Sequence, residues 1–375
     1  MSLPVPVALA RCADYDQELV DAAVAAACQA AGPPAVAGSV VLVKPNLLNA
    51  SEPERAATTH PAVVRAVIRY LRAKGAARVL VGDSPGWQPA DVVAARAGIL
   101  PVVRAEGAEW VDFSEAVSVD VPGASLVRRF ELARPVVESD FVVSVAKLKN
   151  HGLMYFTGAV KNLFGAVPGL RKSAFHLRFP GRAEFARMLA DLALAVGPRY
   201  AVMDAVVGMD GPGPNAGHPR PLGLVLASRD CWSLDWVAAE LVGYHPAHIP
   251  YLGVAAADDR YGFRPGSVER VGDEPDHALL KRFAKVRVLK ETDFFKAEIP
   301  SWIHGIVRNL AVPKPEFSDA RCVRCAGCVR ICPAKALEFR EGSRAPAVDY
   351  SKCIRCYCCH EVCPEDAIRL VRRPW

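Results

Sequence analysis

The apolar positions of this chain fall into two alternating periods. Short runs of branched residues occur at Val40–Val43, Ala77–Val81, Asp140–Lys147, Tyr200–Val207 and Leu222–Leu226. They have the length and composition of strands buried on both faces. Between them the apolar residues take helical spacing: Leu19, Ala22, Ala23 and Ala26 in Asp16–Ala31; Val63, Val64, Val67, Ile68 and Leu71 after His60-Pro61; Phe185, Met188, Leu189 and Leu192 in Glu184–Val196; and the stretch Ser233–Leu241. Pro61 falls in a first turn, where its missing N–H costs nothing, and Gly75 and Gly243 follow helix ends. Strand, helix and strand from Val40 to Val81 form a βαβ unit. The pattern therefore predicts an α/β fold with a mainly parallel sheet and flanking helices.

In such a sheet, ligands meet the chain at the C-terminal ends of the strands. Lys44 and Asn46 follow the first run, and Asp83 and Ser84 follow the second in Gly82-Asp-Ser-Pro-Gly86. After the third, Lys147, Lys149, Asn150, His151, Thr157, Lys161 and Asn162 crowd into one short stretch. A loop and then a short Gly-rich helix is expected here, and it must fold back if His151 and Lys161 are to share a pocket. Lysines so placed suit an anionic substrate or a covalent attachment; the plain alternative is a solvated lysine-rich turn. Asp204 leads into Gly208–Gly217, whose Gly, Pro, Asn and Asp content reads as a long surface loop. His151, Lys161 and Asp204 are the expected catalytic residues. His151 would be the proton donor, because an unperturbed imidazole titrates near neutrality. Lys44, Asn46, Asp83, Ser84, Lys147, Lys149, Asn162 and His176 are the expected binding residues. His176 is the weaker of them, since a lone histidine is more often packed.

Composition narrows the function. The chain has 375 residues, 51% of them apolar, which is globular and long enough for two or more domains. Its net charge of +6 comes without a Lys/Arg block or a basic–aromatic stripe, which argues against nucleic-acid binding. No G-x-G-x-x-G follows a strand and no P-loop, H-E-x-x-H or G-x-S-x-G motif occurs, so nicotinamide and ATP sites are unsupported. No basic n-region precedes the first apolar run, and no run is long enough to span a membrane.

Nine of the twelve cysteines lie from Cys322 onward. They spell Cys322-x2-Cys325-x2-Cys328-x3-Cys332-Pro and then, after a short interval, Cys353-x2-Cys356-x2-Cys359-x3-Cys363-Pro. This is the two-cluster ferredoxin run, in which three near cysteines hold one cubane and the fourth ligates the other. Cys322, Cys325, Cys328 and Cys363 are expected to hold one [4Fe–4S] cluster, and Cys353, Cys356, Cys359 and Cys332 the second. Cys358 is surplus, and Cys12, Cys28 and Cys231 read as buried thiols. Oxygen-sensitive clusters and free thiols point to a reducing, cytoplasmic setting. From Glu316 onward 11 Lys/Arg face 8 Asp/Glu, a basic rim suited to an acidic electron donor of ferredoxin or flavodoxin type. The expected division is 1–284 for the α/β domain, 285–315 for a linker with Phe294, Phe295, Trp302 and Ile303, and 316–375 for a small α+β two-cluster ferredoxin-like domain.

The segments Val-Lys44-Pro-Asn46-Leu, Thr58-Thr59-His60-Pro61, Gly82–Gly86, Lys147-Leu-Lys149-Asn-His151, Thr157–Gly165 and Asp204–Gly217 resemble the family catalogued as domain of unknown function 362, members of which are often fused to two-cluster ferredoxin domains. That resemblance implies fold and architecture more than a reaction. A fainter one is to the N-terminal domain of nickel-pincer lactate racemase, where a His, a Lys ten residues later that holds the pincer and a nickel-binding His follow one strand; His151, Lys161 and His176 look like that trio. The racemase carries a catalytic His where this chain has Asp83-Ser84-Pro85. The expected function is an iron–sulfur oxidoreductase that passes electrons to an anionic substrate or cofactor in the α/β domain. The alternatives are a non-catalytic electron carrier and a metal- or pincer-cofactor enzyme, which would add a further metal or organic cofactor.

Overall fold

The computed structural model describes residues 4–286 and 312–371. The strands of the larger body are β1 (Val5–Arg11), β2 (Val40–Pro45), β3 (Arg78–Val81), β4 (Glu109–Trp110), a separate hairpin of β5 (Ala116–Asp120) and β6 (Arg129–Ala133), then β7 (Phe141–His151), β8 (Tyr155–Thr157), β9 (Tyr200–Asp210), β10 (His218–Ser228) and β11 (Val268–Gly272). One nine-stranded sheet runs in the order β11-β1-β10-β9-β7-β2-β3-β4, with β8 paired to β7. Strands β9, β7, β2, β3 and β4 are mutually parallel; β10 is antiparallel to both β9 and β1. The fold is thus a mainly parallel mixed sheet with helices on both faces, plus a small C-terminal domain.

Alternation along the central strands builds two cores. Leu42, Ala146 and Leu148 join one, with helices Arg182–Val196, Cys231–Leu241 and Pro250–Ala257. Val41, Val43, Val143 and Val145 join the other, beneath helices Gln17–Ala30 and Pro61–Ala73. Successive side chains of a strand point to opposite faces, so a strand buried on both reads as a continuous apolar run. Asp16 caps the first of these two helices through Glu18 N and Leu19 N, and His60 caps the second through Ala62 N.

Two segments read as loops begin as strands. β7 continues past Lys147 to His151, all eleven residues buried, and turns back through β8 before helix Ala159–Asn162. β9 continues to Asp210; residues 211–217 are a turn, as expected, but Gly213, Pro214 and Asn215 within it are buried. Gly208 serves close packing here: an added Cβ would lie 2.8 Å from Leu222 and 3.1 Å from the Leu148 carbonyl.

The small domain pairs β12 (Lys314–Phe317) with β15 (Ile368–Val371) and β13 (Leu337–Phe339) with β14 (Pro346–Val348), around helices Gly327–Ile331 and Cys358–Val362. Its halves repeat one another, down to their strained backbone. Left-handed φ values of 56°, 62° and 48° at Arg324, Ala326 and Lys335 return as 59°, 65° and 47° at Arg355, Tyr357 and Asp366. The aromatic linker residues Phe294, Phe295, Trp302 and Ile303 lie outside the described residues. No helix among the described residues is long and apolar enough to cross a membrane.

Candidate functional site

Strand periodicity places Lys147, Lys149 and His151 on one side of β7. Lys147 stands opposite Asp204 of β9 in the sheet register. Its Nζ lies 2.9 Å from Asp204 Oδ2 and 2.7 Å from Tyr15 Oη. Asp204 also accepts from Tyr15 Oη, His60 N and Val206 N, and the Tyr15 ring stacks on His60 at 3.5 Å. On the other face of the sheet Lys44 pairs with Asp83 Oδ1 at 2.6 Å, and Asp83 also accepts from Leu47 N and Ser84 N. Asn162 accepts from Lys44 Nζ and donates to Lys44 O and Ser144 Oγ. Ser84 accepts from Gly169 N and Lys172 Nζ. Lys149 donates to Asn46 Oδ1 and Ala57 O. Burial, and then the charges of Lys161 and Lys147, lower its pKa to about 7.

The glycines of the Thr157–Gly165 stretch are explained by this packing. A Cβ on Gly165 would meet Asp83 Oδ1 and Lys44 Nζ, and one on Gly158 would meet the Asp235 carboxylate. Asp235 in turn accepts from Ala159 N, Val160 N and Tyr251 Oη. It thereby fixes the short helix that carries Lys161. Burial raises the Asp235 pKa to about 7, against the opposing effect of those donors.

Lys161, His151 and His176 differ from the other candidates. His151 Nδ1 accepts from Leu153 N and Met154 N, so the ring proton is on Nε2. That Nε2 is buried and lies 3.2 Å from Glu361 Oε1, without the alignment of a hydrogen bond. His176 is packed on Phe185 at 4.4 Å between ring centroids, and its buried Nδ1 has no partner among the described residues. Half-buried Lys161 stands over the Phe164 ring at 5.7 Å and has no hydrogen-bond partner among the described residues. Burial and Lys161 lower the His151 pKa to about 4, outweighing Glu361, so the imidazole is neutral at pH 7. This corrects the expectation that His151 holds a proton titrating near neutrality. Burial pushes the Glu361 carboxyl up, but His151, Lys161 and His176 outweigh it and hold the group well below its ordinary range. Asp204 does not face His151; the carboxylate that does is Glu361, which sequence reasoning missed. Comparison of the two cysteine repeats would have marked it, since Glu361 stands where the first copy has Arg330.

Glu361 belongs to the small domain, which docks on the strand ends. Ile331 and Val362 sit over Gly86, where a Cβ would approach them to 3.1 and 3.2 Å; Gly327 packs against Trp87 in the same way. Asn215 Nδ2 donates to Cys363 O at 2.5 Å, and Arg55 pairs with Asp366 at 2.8 Å.

The cysteines line two hollows. One is bounded by Cys322, Cys325, Cys328 and Cys363, the other by Cys332, Cys353, Cys356 and Cys359. Backbone N–H groups of Arg324, Ala336 and Ala367 donate to the sulfurs of Cys322, Cys332 and Cys363. Four thiolates around each hollow with amides aimed at sulfur is a donor set that fits a cubane. Among the described residues no three His, Cys, Asp or Glu side chains are placed to hold a single metal ion. Cys358 is buried at the domain contact, and Cys12, Cys28 and Cys231 are buried in the larger body.

Residues 41–240 match the family described as Domain of unknown function (DUF362), and residues 314–364 match the 4Fe-4S dicluster domain. The thylakoid-associated protein sll1697 of Synechocystis sp. (strain ATCC 27184 / PCC 6803 / Kazusa) is 36% identical over 261 residues, which cover 68% of this chain and 79% of that protein. Two solved structures are more distant. The lactate racemase apoprotein of Thermoanaerobacterium thermosaccharolyticum has a TM-score of 0.43 at 13% identity, over 64% of this chain and 57% of its own. A protein from Thermotoga maritima has a TM-score of 0.35 at 13% identity, over 56% and 54%. With one family match spanning more than half of its length and another over its cysteine repeats, the chain belongs to the DUF362 family and ends in a 4Fe-4S dicluster domain.

Proposed function

We propose that this protein is an iron–sulfur oxidoreductase in which two [4Fe–4S] clusters deliver electrons to an anionic substrate at Lys161, His151 and His176. When bound, the clusters supply one-electron transfer at potentials set by hydrogen bonding and exposure. The observation that carries the reading is that His151 Nε2 and His176 Nδ1 are buried without a hydrogen-bond partner among the described residues, with Lys161 beside them, and that His151 meets the helix bearing Cys359. Lys161 gives the pocket its positive charge, and loss of hydration lowers its pKa against the opposing effect of Glu361 and Cys358, which eases release of a proton. His151 Nε2–H would donate to the bound anion from a ring fixed by two backbone amides. Lys44, Lys147, Asp83 and Asp204 hold the strand ends in place as satisfied ion pairs.

The halves of the small domain are unequally covered, which supports a direction. Arg355, Tyr357 and Cys358 are buried, whereas Arg324 and Cys325, at the equivalents of Arg355 and Cys356, are exposed, and Val323 is 52% exposed. Charge follows exposure: residues 319–344 hold six Lys/Arg against three Asp/Glu, and residues 345–371 three against four. In this reading an acidic one-electron carrier docks at the exposed basic half, and electrons leave from the buried half toward Lys161. A reducing compartment goes with it.

The test is anaerobic. The full chain should contain about eight irons and no other metal in stoichiometric amount, and small molecules that co-purify should be identified by mass spectrometry. An anion among them should reoxidise the reduced protein, and Lys161→Met should abolish this while leaving the cluster absorbance intact. Reoxidation at an unchanged rate in Lys161→Met would sink the assignment; rapid electron exchange with carrier proteins and no anion able to reoxidise the chain would favour a carrier.

A further inference from the structure

Three carboxylates stand at the strand ends and are bonded very differently: Asp83 and Asp204 are buried in lysine pairs, whereas Glu361 is 15% exposed and faces His151. Asp83 holds Lys44 at 2.6 Å and two backbone amides. Asp204 holds Lys147 at 2.9 Å, a tyrosine hydroxyl and two backbone amides. Glu361 has only the unaligned 3.2 Å contact with His151 among the described residues, although Lys161 and His176 are near enough to influence its charge. A carboxylate built into the architecture is normally saturated with donors, because an under-bonded buried charge is costly. Asp83 and Asp204 follow that rule. Glu361, brought by a different domain, does not, and it leaves a buried nitrogen on each of two histidines without a hydrogen bond.

We propose, resting on the pocket assigned above, that Lys161, His151 and His176 form a binding site for a small monocarboxylate, with Glu361 as its internal occupant. The structure is then the closed form, in which the cluster domain plugs its own substrate site, and a ligand carboxylate binds there by displacing Glu361. A single ammonium and a single Nε2–H suit one negative charge better than a phosphate dianion. Phe164, under Lys161, gives the site an apolar neighbour. A tethered side chain competes at high effective concentration, so the wild-type chain binds the free carboxylate weakly.

The experiment uses the cluster-loaded full chain, with ¹³C-labelled acetate and inorganic phosphate as probes at fixed ionic strength. Glu361→Ala should bind acetate saturably and roughly tenfold or more tighter than wild type, and adding Lys161→Met should abolish that binding. Equal acetate affinity in wild type and Glu361→Ala, binding that survives Lys161→Met, or phosphate binding in place of acetate overturns the proposal. Because Glu361→Ala also removes a domain contact, the wild-type chain provides an independent measure. Concentrated acetate, compared with chloride, should speed hydrogen exchange at the amides of Cys358–Val362; protection unaffected by acetate overturns the proposal whatever the variant does. Acetate binding needs no electrons. Its failure with electron delivery intact removes this inference alone, and failed electron delivery with acetate binding intact removes only the earlier reading.

Discussion

Oε1 of Glu361 lies 3.2 Å from Nε2 of His151, so the helix that carries Cys359 and leads to Cys363 touches the end of β7 directly. Side chains from two domains meet there. Gly327, which is no ligand itself although it precedes Cys328, gives a way to separate them, since a Cβ there would lie 2.6 Å from the Trp87 ring. Gly327→Val should red-shift Trp87 fluorescence and speed hydrogen exchange in Cys358–Val362, while the thermal transition of the larger domain stays in place. An unchanged exchange pattern would show that the contact is not what holds the domains together.

Lys44 and Asp83 form a fully buried pair. Lys44→Met leaves the Asp83 charge without its partner and should cost about 3–5 kcal/mol in chemical denaturation. The exposed pair Arg129–Asp120 is a fitting control; Arg129→Ala should leave the denaturation midpoint nearly unchanged.

Two buried groups set opposite slopes of stability against pH. The Asp235 pKa is raised from 3.8 to about 7, so between these values the folded state binds the extra proton and stability falls as pH rises. The Lys149 pKa is lowered from 10.5 to about 7, so above neutrality the unfolded state binds the extra proton and stability rises with pH. Below pH 6.5 the pKa values of His60, His151 and His176, each lowered to about 4, oppose Asp235, so the two slopes are read as differences from wild type. Lys149→Met should flatten the rise in stability above neutrality, and Asp235→Asn should steepen the rise below it. Asp235→Asn should also cost about 2–3 kcal/mol, because an amide cannot accept from all three donors that the carboxylate serves.

The hollows predict which cysteines act together. Cys325→Ser and Cys363→Ser, distant in sequence, should each lower iron from about eight to about four per chain and leave the same cluster signal behind. Cys332→Ser and Cys359→Ser should leave the other. A Cys363→Ser protein that matches Cys359→Ser in its remaining spectrum would invert the partition.

Electron delivery should depend on the basic half. Arg321→Glu with Arg324→Glu should slow reduction by an acidic ferredoxin or flavodoxin and weaken its salt dependence, while reduction by dithionite is unaltered. Lys352→Glu with Arg369→Glu, in the other half, should have little effect. Equal slowing by both pairs would remove the docking site from the exposed half.

The sequence carried much of this in readable form. The runs Val40–Val43 and Tyr200–Val207 are strands because residues buried on both faces must all be apolar. The doubled cysteine run is legible because chemistry fixes its spacing. Lysines are harder. Lys44, Lys147 and Lys149 sit inside the body, against the average behaviour of the residue, because the partners that allow it come from distant positions. Tyr15, His60 and Asp83 carry no local signal of that role. The extension of β7 to His151 was hidden by its polar residues, which resemble a loop until their partners are known. Glu361 was least legible, since its importance arises from how two domains meet.

Each hollow of the small domain takes three cysteines from one half and its fourth from the other. The halves are therefore interlocked, although each repeats the other's backbone. Neither could be shed, or donated alone to another protein, without taking a wall from the hollow left behind. Such a module is inherited whole. The copies nevertheless differ inside as well as out: buried Gly327 answers to buried Cys358, and where one copy has exposed Arg330 the other has Glu361 against His151, so that a repeated peptide has a front and a back.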